Sequence, residues 1–384
     1  MPGKLIFTFL LGLLTFPAIA DNTRNHGWQA LEQQRIGWER AMEPMGNAAR
    51  ISTTKAKTLN GITYSPYQLG LMDTFGNWFK QSYTPIGGLP QISRLLLPDA
   101  TNERPNLPQG SGVVVQLWAP SYDDARQKIV KAQPASAYRV RFLANHLPGM
   151  EPATWFNDPD HFWFTMYYDP QGRAMNNEDQ AKITPRLDEI RQATGDRLVY
   201  FTGNQINVVL SPMSSLPVEQ VTRGEVLDRG ETTLRHAHLS KRLTEHQLAE
   251  YLVALEALRQ KYRDSLAQPA FINHPQLTLY SINKTRDLFE ETVADRYMFP
   301  VYRIKPQIYT QARQDRPVWL SISWEYANDK ANTAAREIHQ AMLHNFNFDY
   351  AYDYLFEPGK VKGQTYKPRS PDYLRSLESR YEQP

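Results

Sequence analysis

Three short clusters carry residue types that could do chemistry. Asn157-Asp158-Pro159-Asp160-His161 sets two carboxylates and an imidazole just ahead of an aromatic run, His161 to Tyr168. Carboxylates at a strand entrance can serve as acid and base or hold a cation. The same residues also make a turn, because Asp and Asn accept backbone hydrogen bonds and Pro fixes φ. His236-Ala237-His238 presents two imidazoles on one side if the segment is extended, which is half of a Zn, Cu or Ni site. His246, the nearest further imidazole, falls inside a predicted helix and gives no obvious third ligand. Lys360, Lys362, Lys367 and Arg369 follow one another without an intervening acid. They could meet an anionic partner such as a phosphorylated glycan or a lipid headgroup, or form a solvated tail.

Other candidates are weaker. Gln109-Gly110-Ser111-Gly112 could form a backbone nest for an anion, as could Gly87-Gly88. No Lys follows at P-loop spacing, and Ser111 does not sit in a G-x-S-x-G elbow. His339 and His344 are spaced so that they leave a helix in different directions and make no HExxH-type pair. The chain has no cysteine. That excludes disulfides, thiolate nucleophiles, thiolate metal sites, c-type haem attachment and a lipoprotein anchor. No cofactor fingerprint is present, so no cofactor is expected. With 43 basic and 40 acidic residues the chain is nearly neutral, which gives no general attraction to nucleic acid.

The N-terminus reads as a secretory signal over residues 1–20. Lys4 supplies the charged region, Leu5 to Phe16 the apolar region, and Ala18-Ile19-Ala20 a small-residue cleavage site. The apolar run is too short to span a bilayer, so cleavage after Ala20 and a periplasmic or secreted location are expected, with no transmembrane anchor left.

The elements that must position these residues follow from periodicity. Trp28, Leu31, Trp38 and Met42 predict an N-terminal helix, and the prolines between Pro85 and Pro120 predict an irregular covering segment. From Val113 to Thr202 the expected order is β-α-β-β-α-β. Its first helix covers Ser121 to Val130, and its second opens at Thr184-Pro185. Leu198–Thr202 and Gln205–Leu210 predict a hairpin that pairs Phe201 with Ile206 and Val199 with Val208. Leu243, Thr244, Gln247 and Leu248 form a capping box with a hydrophobic staple, which starts a helix running to Leu266. The same β-α-β-β-α-β order then recurs. Strands are expected at Leu277 to Ile282, Phe299 to Ile304 and Val318 to Trp324, with helices at Thr285 to Tyr297 and Asn328 to Leu343. A last strand is expected from the period-two row Phe346, Phe348, Tyr350, Tyr352, Tyr354 and Phe356.

The expected fold is therefore α+β, with two ferredoxin-like (βαββαβ) halves at 100–220 and 225–384 behind an irregular segment at 21–99. The aromatic content, 21 Tyr, 16 Phe and 8 Trp, suits packed sheet faces and also sugar stacking. Two functions remain open from sequence. One is a non-catalytic accessory or binding component for an envelope polymer or secreted partner, favoured because no nucleophile motif, metal triad or cofactor fingerprint is found. The other is a glycan-directed periplasmic hydrolase using carboxylates near Asp158 and Asp160.

Overall fold

The computed structural model describes residues 30–44, 51–59, 62–97, 110–132, 137–153, 156, 161–166, 177–195, 197–202, 204–274, 277, 287–290, 298–312, 314–328 and 330–383, with the backbone alone at 177–184. The signal segment, Asp158, Asp160 and most of the expected elements between 277 and 297 lie outside these residues. In chain order the elements are β1 (Lys57–Leu59), β2 (Ile62–Tyr64), α1 (Pro66–Ser82), β3 (Leu89–Leu97), β4 (Gly110–Trp118), β5 (Pro120–Asp123), β6 (Lys128–Lys131), β7 (Ala137–Ala144), β8 (Met150–Pro152), β9 (Trp163–Met166), α2 (Asn177–Thr194), β10 (Leu198–Thr202), β11 (Gln205–Leu210), β12 (Val218–Gln220), α3 (Arg223–Leu239), α4 (Glu245–Lys261), β13 (Phe271–Ile272), β14 (Phe299–Ile304), α5 (Pro306–Gln311), β15 (Leu320–Glu325), α6 (Thr333–His344), α7 (Phe348–Phe356) and α8 (Pro371–Arg380).

The mixed α+β class holds, but the strand order is not that of two ferredoxin-like halves. The larger sheet runs β10-β11-β15-β7-β4-β3, and the smaller runs β12-β14-β9-β8 with β13 also paired to β14. All pairings in both sheets are antiparallel. β15 inserts between β11 and β7, and β14 pairs with β9, so each sheet draws strands from both expected halves. Element order along the chain cannot reveal such long-range pairing.

Alternation gives each strand of the larger sheet two faces. Phe142 of β7 meets Phe75 and Phe79 of α1, and Trp324 of β15 meets Phe348 of α7. α6 lies on the same face, and α2 lies against β10 and α6. On the other face Tyr200 and Val209 share a core with Phe164 and Tyr302 of the smaller sheet. The far side of that sheet, Trp163 and Val301, packs with Val226 and Leu234 of α3 and Leu255 and Leu258 of α4. The layers therefore run helices, sheet, sheet, helices.

Several local expectations hold. The β10–β11 hairpin pairs Phe201 with Ile206 and Val199 with Val208. Thr244 and Gln247 form the capping box of α4, with both reciprocal bonds in place. α1, which opens on a second such box at Ser65 and Gln68, was not anticipated from sequence.

Other expectations are corrected. Ser121 to Val130 is a hairpin, β5–β6, rather than a helix. Asp123 accepts the Arg126 N–H through both backbone and side chain, and Gln127 takes φ 49°, so the turn wins over the helix. The proline-rich stretch contains β3, a regular strand; Pro90 is tolerated because β3 lies at the sheet edge. Of the expected N-terminal helix, the described residues keep a helical turn at 30–32 and a 3-10 turn at Trp38–Arg40, and Gly37 at φ 77° interrupts the chain between them. The helix expected from Thr184 begins at Asn177, with Pro185 inside it.

The aromatic row is also helical. Asn347 caps α7 by accepting the Tyr350 N–H at 2.9 Å. A period of two contains the helical period of four, so Tyr350 stacks on Tyr354 and Tyr352 lies beside Phe356. The buried positions, Phe348, Ala351 and Leu355, follow helical spacing.

Candidate functional site

The face of the larger sheet turned toward the smaller sheet carries polar residues in register. Ser323 of β15 sits between Asn207 of β11 and Arg141 of β7, and Ser321 sits between Val209 and Leu143. Trp319 precedes them on the same side of the alternation. Its place is set by Asn145, whose N–H donates to the Trp319 carbonyl while its side chain accepts from Val318 N–H and donates to the Ala312 carbonyl.

Asn207, Ser321 and Trp319 are fully buried, and Ser323 is 1% exposed. Asn207 Oδ1, Ser321 Oγ, Ser323 Oγ and Trp319 Nε1 have no hydrogen-bond partner among the described residues. The Asn207 amide nitrogen, by contrast, donates to Tyr200 O and Thr202 Oγ1. A buried polar atom without a protein partner is costly unless a buried water completes its hydrogen bonds.

Toward the open end of the same face the groups become charged and half-buried. Arg141 Nη1 donates to Gln205 Oε1 at 2.8 Å, and Gln205 is the cross-strand partner of Glu325. Burial raises the Glu325 carboxyl pKa, against the pull of the Arg139 and Arg141 guanidinium groups. Burial lowers that of Arg141, with Arg139 acting in the same direction. Burial and the nearby Arg141 also hold the His146 imidazole below its ordinary range. The half-buried end of the row thus offers a guanidinium, a carboxylate and the Gln205 amide. Together these can meet donors and acceptors of a hydroxyl-rich ligand bearing negative charge.

Asp158 and Asp160 lie outside the described residues, and none of the sequence-derived candidates among the described residues joins this row. His161 is half-buried just ahead of β9. His236 and His238 lie on α3, not on extended chain. Two residues along a helix turn the imidazoles to nearly opposite sides, and His238 Nδ1 is taken up at 3.1 Å by the Leu243 carbonyl. Among the described residues no group of three or more His, Asp or Glu could hold a metal ion.

The basic segment does not converge either. Lys360 pairs with Glu357 and Asp353, and Arg369 donates to the Ala193 carbonyl at the end of α2. Lys362 and Lys367 are exposed. Gly110 to Gly112 are ladder positions of β4, not a nest; a Cβ on Gly112 would fall 2.0 Å from the Phe142 carbonyl oxygen.

The sequence signal for this row was the alternation of Trp319, Ser321 and Ser323 with Leu320, Ile322 and Trp324. It marks a strand with one polar face but does not say that this face is buried. Among the described residues no helix is long and apolar enough to cross a membrane. Compared with protein-family models, curated proteins and solved structures, the chain matches none.

Proposed function

We propose that this is an exported, non-catalytic binding component that meets a hydroxyl-rich, anionic stretch of an envelope polymer at the half-buried end of the polar face, around Arg141, Gln205 and Glu325. The observation that carries this reading is the charged, half-buried end of the polar row, where Arg141 bonds Gln205 and Gln205 faces Glu325 across the strands. A ligand that supplies donors and acceptors to these partly desolvated groups gains both affinity and selectivity. Export rests on the signal at residues 1–20 and cleavage after Ala20.

The test is calorimetric titration of the purified chain with soluble peptidoglycan strands. Saturable binding is expected, weakened at least tenfold by Arg141→Ala and by Glu325→Gln with the circular dichroism spectrum unchanged. If both variants bind as wild type does, the polar face is not the binding surface. Release of new reducing ends during the titration would favour hydrolysis over binding.

A further inference from the structure

A cavity of about 670 Å³ lies between the β5–β6 hairpin and the 3-10 turn at Trp38–Arg40, and no residue of the polar row lines it. Its floor is apolar: Met42, Leu89 and Ile129 belong to a small core of their own that also includes Trp118. A two-stranded ribbon is marginal by itself, so this packing is what holds the hairpin over the cavity.

The mouth is basic. Arg40, Lys128 and Lys131 line it, against one carboxylate, Glu39, which Arg40 already engages at 3.4 Å. Neither lysine has an ion-pair partner among the described residues. Lys131 Nζ stands 3.6 Å from the centre of the Trp118 ring, a cation–π contact that keeps its charge at the mouth. An apolar floor of ligand-binding size beneath excess positive charge has a definite complement.

We propose that this cavity binds a single-chain anionic amphiphile, with the chain on Met42, Leu89 and Ile129 and a carboxylate or phosphate at Arg40, Lys128 and Lys131. Affinity should rise with chain length, because each buried methylene gains about fourfold.

The test is calorimetry of the purified chain with octanoate, decanoate, decyl phosphate and neutral decyl maltoside, each below its micelle concentration. Expected results are saturable binding of the anionic probes, tighter for decanoate than octanoate, and at least tenfold weaker binding of decyl maltoside. The stronger of decanoate and decyl phosphate separates a fatty-acid source from a phospholipid one. The double variant Lys128→Gln/Lys131→Gln should lose at least tenfold in decanoate affinity at an unchanged melting temperature, while Arg141→Ala should lose nothing. Equal affinity for neutral and anionic probes, undiminished binding by the double variant, or no saturable binding would each overturn the proposal.

Discussion

The two faces of β15 bury polar groups in opposite ways. On the helix side, Trp324 Nε1 donates to His339 Nδ1 at 3.0 Å, and His339 is only 2% exposed. Two residues earlier on α6, the buried Glu337 carboxylate accepts from Tyr381 Oη at 2.8 Å and Arg380 Nη2 at 3.1 Å, with Arg336 Nε at 3.5 Å. These bonds tie the C-terminal segment to the helical layer. On the sheet side, one residue along the strand, Ser321, Ser323 and Asn207 are as deeply buried, yet Ser321 Oγ, Ser323 Oγ and Asn207 Oδ1 have no hydrogen-bond partner among the described residues. A satisfied buried polar group specifies structure. An unsatisfied one costs about 1–3 kcal/mol and persists where something else completes it.

Removing a satisfied group should hurt most. Glu337→Ala should cost about 2 kcal/mol, in the range for hydrogen bonds to a charged group, because the partly exposed Arg380, Tyr381 and Arg336 lose their common buried acceptor. Urea unfolding measures this, and a loss below about 1 kcal/mol would show that the C-terminal helix is held by other contacts.

His339 makes the helix side pH-sensitive. Burial, reinforced by His344, lowers its pKa to about 4, so the folded imidazole stays neutral while the unfolded one protonates near 6.5. Its contribution is complete above pH 6.5 and is lost as pH falls toward 4, at about 1.4 kcal/mol per unit within that window. His339→Gln keeps an acceptor for Trp324 without the titration. Its stability should therefore fall less steeply with pH between 6 and 4.5; slopes equal to wild type would mean that His339 is not the sensor.

The sheet side should respond with the opposite sign. Ser321→Ala and Ser323→Ala each remove a buried hydroxyl without a partner among the described residues and should leave stability unchanged or raise it by about 1 kcal/mol. If either substitution costs more than about 1 kcal/mol in thermal unfolding, that hydroxyl is satisfied in solution and the contrast between the faces collapses. The smallest effect is expected at Asp349, whose pair with Arg197 at 2.9 Å is solvent-exposed on the aspartate side. Asp349→Ala should change the urea midpoint by less than the equivalent of about 0.5 kcal/mol.

Where local chemistry is self-contained, it could be read directly. Thr244 and Gln247 cap α4 because both bonds close within one turn, and the β10–β11 register follows because two apolar rows must align. Where two conformations satisfy one pattern, reading failed. Alternate aromatics serve a strand face and the i,i+4 pairs of a helix equally well, so the cap at Asn347 and the meeting of α7 with Trp78 and Trp324 decided for α7. Residues Ser121 to Val130 likewise fit a capped helix until Asp123 turns the chain back on itself.

What the sequence by itself determined is the local inventory: no thiol chemistry, an export signal as an expectation, the capped helix at α4, and strands with recognisable faces at β7, β11, β14 and β15. The tertiary structure alone decided which strands became neighbours. Arg141, Asn207, Ser323 and Glu325 come from three separated segments, and they meet only because β15 enters the sheet between β11 and β7. The physical reason is that strand pairing is set by the total fit of apolar faces across layers. That sum runs over residues far apart in the chain, and no local spacing records it.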